Sequence, residues 1–188
     1  MPMSRSVDRI VVVDIESTCW DGATPEGKIS EIIEVGACSI DVDRLLRGEK
    51  LDIFIEPIES EISLFCTRLT GITSDKIKEA GPVTFPEACR VLREYAGNDL
   101  WASYGDYDRT MFRSQCDRRG VEYPFGSRHL NVKTLAALIM GLSREVGMAA
   151  ALNIAGLPLK GNHHSAVDDA WNIANLLIHC LEKARIGD

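Results

Sequence analysis

The run RIVVVDIE, residues 9–16, constrains this chain more than any other stretch. Its valines read as a buried β-strand at the centre of a sheet. Yet the run ends in Asp14 and Glu16, and side chains two apart on a strand share a face. One face therefore carries Val12, Asp14 and Glu16 in a row. A single unpaired buried carboxylate is costly, and two adjacent ones also repel each other. The rest of the chain must supply what compensates them.

A polar loop containing Gly and Pro follows (DGATPEGKISE). After it, IIEVGACSIDV (32–42) and KLDIFIEP (50–57) read as two further strands, and three strands in succession predict an antiparallel meander. Beyond Pro57 the pattern turns helical. SLFCTRLTGI predicts a short helix and turn, and Ser74 is placed to cap another. TFPEACRVLREYAG opens with the capping box Thr84-x-x-Glu87 and stops at Gly97. LWASYG (100–105) reads as a fourth strand, and a helix near 108–119 ends at Gly120. A short strand is expected around 128–131, then helices in VKTLAALIM and REVGMAAALNIAG, then a long helix over 165–184. Strands followed by helices with an interleaved strand define an α/β fold with a mixed sheet.

With 188 residues, the chain is read as one domain spanning 1–188, with residues 1–8 expected to be flexible. No apolar run approaches the ~20 residues that span a bilayer, and MPMSRSVDR has no apolar signal core. Six scattered cysteines without a Cys-x-x-Cys pair read as reduced thiols. The expected location is cytoplasmic, with no membrane partner. A net charge of −7 argues against broad adhesion to duplex DNA or anionic lipid. It leaves room for a nucleic acid gripped over a few nucleotides.

The segment HHSAVDDAWNIANLL supplies a second acidic pair, and helix periodicity separates its members. Asp168 shares a stripe with Asn172, Asn175, His179 and Glu182, a solvated face; Asp169 shares one with Ile173, Leu176, Leu177 and Cys180, a core face. Asp169 is thus the inward acid, with His164 five residues before it. Asp168 suits the positive end of the helix dipole, Ser165 serving as cap, and His163 reads as loop surface. In SYGDYDRTMFRSQ the same test turns Asp108 inward, with Met111, Phe112 and Gln115, and leaves Asp106 on a polar stripe. Four inward acids from three segments call for divalent metal. An all-oxygen set without cysteine favours Mg²⁺ or Mn²⁺ over zinc. Two such ions ~4 Å apart can activate a water and stabilise the leaving oxygen of a phosphodiester, and a neutral His164 can take the water's proton.

In order and spacing, the DIE motif (Asp14, Glu16), the YD pair (Tyr107, Asp108) and HSAVDD (His164 to Asp169) resemble the DEDDh group of 3′→5′ exonucleases, the DnaQ-like branch of the ribonuclease H-like fold. FCTRLTGIT (65–73), Trp20 and SYGDYD are most similar to the histone-mRNA and RNA-interference-type branch. The resemblance implies a ribonuclease H-like mixed sheet flanked by helices. It also implies Asp14, Glu16, Asp108 and Asp169 as ligands of two ions and His164 as general base. Ser17 and Thr18 would hold the terminal 3′-OH through backbone groups, while Phe65, Leu69 and Tyr107 pack on the last bases or sugars. Where many members carry Asn before the aromatic-Asp pair, this chain has Ser103, Tyr104 and Gly105. The expected activity is release of 5′-mononucleotides from single-stranded 3′ ends, RNA in preference to DNA. Alternatives are oligoribonuclease-like trimming of very short RNAs and a non-catalytic binding module. The module should have lost a ligand or the base, and all five are present. An exposed strand edge could also pair two chains as a homodimer.

Overall fold

A computed structural model describes residues 7–185. The valine run forms β1 (Arg9–Ser17). Beside it lie β2 (Ile32–Asp41) and β3 (Leu46–Phe54) on one side and β4 (Leu100–Ser103) and β5 (His129–Asn131) on the other, in the order β3-β2-β1-β4-β5. β1–β2 and β2–β3 pair antiparallel, as a meander requires. β1–β4 and β4–β5 pair parallel, so the mixed sheet read from the sequence is present. Because β1 and β4 are parallel, their carboxyl ends lie together, and in open α/β sheets that end is where ligands bind.

β1 lies mid-sheet, and its alternation feeds two cores. Val11, Val13 and Ile15 pack on one face with Leu92, Phe85 and Phe112, side chains of α3 (Phe85–Ala96) and α4 (Tyr107–Arg119). Ile10 and Val12 pack on the other with Val132, Leu152, Ile173 and Leu177, from α5 (Val132–Ile139), α6 (Met148–Ile154) and α7 (Ala166–Arg185). Asp14 and Glu16 continue the second row, so they face α7. Two short helices, α1 (Leu64–Thr70) and α2 (Ser74–Glu79), bridge the meander and α3.

Local chemistry sets most boundaries. The Thr84–Glu87 capping box opens α3 as expected, with Pro86 in its first turn. α1 and α4 end on Gly71 and Gly120, both left-handed. Some boundaries differ from expectation. α2 is capped by Thr73, whose hydroxyl accepts the Lys76 N–H, and Ser74 is its first residue. β3 starts four residues before Lys50 and ends at Phe54, beyond which Ile55 bridges Val83 and donates its N–H to the Ile33 carbonyl at 2.9 Å. The solvated stripe expected on α7 is interrupted at Asn172. This residue is buried, and its amide clamps the backbone N–H and C=O of Lys160 (3.0 and 2.8 Å). A loop folds over a face that periodicity alone leaves open.

The amino-terminal flexibility expected for residues 1–8 falls, for residues 1–6, outside those described. The Asp8 carbonyl already accepts the Val42 N–H. The six thiols are free, five buried and Cys19 partly so. No helix among the described residues is long and apolar enough to cross a membrane. The β3 edge, where two chains could pair, bears Arg47, Glu49, Lys50 and Asp52, charges of the kind that blunt unplanned strand pairing.

Candidate active site

β1, α4 and α7 converge at the carboxyl end of the central strand. Oxygen atoms of Asp14, Glu16 and Asp169 lie within 4.8 Å of one another. Asp108, in the first turn of α4, is buried beside them and accepts the Ile15 N–H at 3.1 Å. That bond ties the acid to the strand segment between Asp14 and Glu16. α7 reaches the sheet because β2 has Gly36 opposite Asp14. A Cβ at Gly36 would overlap the Ala166 carbonyl and the Val167 nitrogen, so only glycine admits the first turn of α7 this close. Asp169, two residues further on, is carried to the Asp14–Glu16 row.

The electrostatics follow from this crowding. Burial holds Asp14 well above the ordinary carboxylate range, and Asp108, Asp169, Glu16 and Glu34 add repulsion. Glu16 is pushed up to about 8, first by burial and then by Glu34, Asp169 and Asp108. Burial lifts Asp108 to about 7, against hydrogen bonds from its own N–H, Ile15 and Ser103. Buried acids that repel each other, with Glu34 Oε2 among them buried without a hydrogen-bond partner, are a poor resting arrangement for a protein by itself. Divalent cations convert the repulsion to attraction, and the all-oxygen donor set fits Mg²⁺ or Mn²⁺.

His164 sits at the mouth, with Nδ1 4.0 Å from Glu16 Oε1. Its backbone is left-handed (φ 67°), a conformation costly for a residue with a side chain. Asp169 Oδ2 holds it by accepting the His164 N–H at 2.9 Å. Burial lowers the His164 pKa, and the charge of His163 lowers it further, against an upward pull from Asp169.

The expected substrate contacts are brought to the same end of the sheet. Ser17 Oγ and Tyr107 Oη are 2.7 Å apart, and Tyr107 remains largely exposed. α1 docks through Ser63 Oγ, which donates to the Cys19 carbonyl, and Cys66 Sγ, which lies 3.5 Å from the Ser17 carbonyl. Leu64 and Leu69 of this helix are exposed and Phe65 half-buried. Thr18 is more committed than expected: its N–H donates to the Glu31 carbonyl, its hydroxyl accepts the Glu31 N–H, and its carbonyl accepts from Ser30 Oγ. Thr18 is also fully buried.

Several residues at the site escaped the sequence reading. Glu34 faces Glu16 across the β1–β2 ladder. It is buried and lifted to about 7 by burial and Asp52, against the Ala166 N–H, Lys76 and Ser165. Ser165 Oγ donates to Glu34 Oε1 at 3.3 Å and so ties α7 to β2, while the Ser165 carbonyl accepts the Asp169 N–H at 2.8 Å, as the residue at the start of the helix does. The signal for Glu34 was the one that exposed Asp14, an acid inside an apolar strand. Asp168 pairs with Lys50 at 3.1 Å and accepts the Asn162 N–H at 2.9 Å, closing the loop before α7. His163 differs from the loop surface its sequence suggests. Its ring is partly exposed, stacks on His164 with centroids 4.1 Å apart, and contacts both Asp169 oxygens. Behind Asp108, Ser103 Oγ lies 2.9 Å from His129 Nε2, and burial, reinforced by the nearby Arg109 and Arg113 charges, lowers that histidine to about 4.

A ribonuclease H-like sheet that crowds ionisable acids and a histidine at the end of its central strand has the outline of a metal-dependent nuclease. Residues 11–177 match the exonuclease family RNase_T, and the chain belongs to it. It is similar to 3′-5′ exoribonuclease 1 of Rattus norvegicus, 27% identical over 93% of this chain and 53% of that protein. The chain thus spans about half the length of that relative. Among solved structures, the nuclease domain of 3′hExo, a DEDDh family member bound to rAMP, superposes with a TM-score of 0.85. It is 26% identical, and the match covers 94% of this chain and 92% of that one. A 3′-exonuclease in 3′-end-specific recognition of a histone mRNA stem-loop matches with a TM-score of 0.83 and 25% identity, over 95% and 84% of the two chains.

Proposed function

We propose that this chain is a 3′→5′ exoribonuclease that removes 5′-mononucleotides from single-stranded 3′ ends, using two divalent ions and His164 as general base. The observation that carries the proposal is the convergence of Asp14, Glu16 and Asp169 within 4.8 Å, with Asp108 buried alongside. The relatives support RNA as substrate, since one is named an exoribonuclease and the solved ones bind rAMP and a histone mRNA 3′ end.

When bound at the four carboxylates, Mg²⁺ or Mn²⁺ supplies the positive charge that holds the scissile phosphate and stabilises its leaving oxygen. The protein's own groups do the rest. Asp108 is fixed by the Ile15 N–H and Asp169 by the His164 N–H, so their carboxylates are set before substrate arrives. The His164 ring, partly open to solvent at the mouth, is the group that can take a proton from an attacking water. Its lowered pKa keeps it neutral, as a base must be. Tyr107, Leu64 and Leu69 present exposed apolar surface at the same end of the sheet. Stacking of a base on Tyr107 is worth ~1–3 kcal/mol and reads no sequence.

The test is digestion of RNA and DNA oligomers of several lengths labelled at the 5′ end, single- and double-stranded, with Mn²⁺ and with chelator. A ladder shortening from the 3′ end of single-stranded RNA, abolished by chelator, is expected. Cleavage that persists in chelator, or internal cuts without a ladder, would overturn the proposal. Activity confined to the shortest RNAs would move it to oligoribonuclease-like trimming.

A further inference from the structure

We propose that His163, His164 and Asp169 form a second, overlapping metal site, selective for zinc-like transition ions, whose occupancy switches the carboxylate centre off. Ligand atoms of these three residues lie within 4.8 Å of one another, a cluster distinct from Asp14, Glu16 and Asp169 and sharing only Asp169 with it. The donor sets differ in kind. Three carboxylates suit a hard ion; two imidazoles and one carboxylate suit zinc, copper or nickel, and a set of two histidines with one acid is a known zinc arrangement that leaves a fourth position open.

The spacing also fits. Two ligands of a tetrahedral zinc, each ~2.0–2.2 Å from the ion, stand about 3.3 Å apart. His163 Nδ1 is 2.9 and 3.2 Å from the two Asp169 oxygens, so an ion replacing this hydrogen bond needs only a few tenths of an ångström of adjustment. The two rings lie nearly parallel, 13° apart in plane, with centroids 4.1 Å apart. Ring lone pairs lie in the ring planes, so the stacked pair must unstack, with His164 rotating about its side-chain torsions, before both nitrogens meet one ion. The ligand atoms, all within 4.8 Å of one another, are near enough for that rotation to suffice. The His163 side chain is 40% exposed, which gives an ion a route from solvent, whereas Asp169 is almost fully buried.

Inhibition follows from the shared residue. An ion held by the histidine pair removes Asp169 from the carboxylate centre and occupies the His164 nitrogen. That half of the inference rests on the function proposed above; the binding half does not. His163 is absent from the carboxylate cluster, so it separates the two sites.

The experiment is calorimetric titration of the metal-free protein with Zn²⁺ alone and Mn²⁺ alone, on the wild type, His163→Ala and His163→Gln. Cobalt absorption serves as a second readout of imidazole coordination. Wild type should bind zinc with a cobalt spectrum showing nitrogen ligands. Either His163 variant should weaken zinc by about tenfold or more and change Mn²⁺ affinity by less than about twofold. In Mn²⁺-supported cleavage, the zinc concentration that halves the rate should rise in parallel. Equal zinc affinity in wild type and folded variants, or equal losses of zinc and manganese, would overturn the inference. If no nucleic acid is cleaved by any of the proteins, the function proposed above fails, while the calorimetry still decides the zinc site.

Discussion

Glu16→Gln should stabilise the metal-free protein, and increasingly so as pH rises. Glu16 is raised from 4.5 to about 8 by burial and by Glu34, Asp169 and Asp108. A raised acid is protonated more readily in the folded chain than in the unfolded one. Its contribution is therefore intact below pH 4.5 and is lost as pH rises through about 8. At about 1.4 kcal/mol per pH unit, the whole interval costs the native state about 5 kcal/mol. The neighbouring acids share that cost, so one isosteric substitution should recover about 2–4 kcal/mol at pH 9 and almost nothing at pH 4.5. For a chain of this size, the gain corresponds to a melting temperature higher by roughly 5–15 °C. The assay is thermal melting in chelator from pH 4.5 to 9 for wild type and variant, repeated with Mn²⁺. Added Mn²⁺ should erase much of the difference by stabilising only the ionised wild-type site. Wild-type and Glu16→Gln curves that ran parallel across this pH range would refute the reasoning.

Asp169→Asn should abolish Mn²⁺-dependent cleavage. Asp168→Asn should retain it and lose only the Lys50 pair, with at most about 1 kcal/mol in a denaturant titration; equal loss of cleavage from both would end the distinction between them. His164→Ala should slow single-turnover cleavage by roughly 10²–10⁴-fold while leaving Mn²⁺ binding measurable. A base works deprotonated, so the wild-type rate should climb with pH at saturating metal. Burial and His163 place that rise below the usual histidine value near 6.5, and a rate falling with pH over the same range would exclude His164 as base. Tyr107→Phe removes the hydrogen bond to Ser17 and should raise KM more than it lowers kcat, read from initial rates on a short single-stranded RNA.

The period-2 pattern of β1 placed Asp14 and Glu16 on one face, and the helical stripes separated Asp169 from Asp168 and Asp108 from Asp106. Those distinctions depend only on local geometry, and the buried positions of Asp108 and Asp169 agree with them. What the sequence hid depends on pairing between distant segments. Glu34 joins the site only through its register opposite Glu16, and no turn chemistry between residues 17 and 32 specifies that register. Asn172 looked solvated because its partner, the Lys160 backbone, belongs to a loop whose course no periodicity records. His163 and His164 differ by one position in an irregular segment, where neither the helical nor the strand period assigns a direction.

Gly36 gives these acids their proximity without contributing an atom to the chemistry. A single added methyl there would hold the first turn of α7 off the sheet, and with it Asp169, while every acid and the histidine remained in the chain. On the proposed function, loss of activity among descendants of such a protein can therefore be silent at the motifs. A paralogue keeping Asp14, Glu16, Asp108, His164 and Asp169 but bearing alanine or serine at position 36 is best counted among the inactive copies. Any survey that sorts working nucleases from relics should thus score the β2 glycine together with the five residues of the proposed centre.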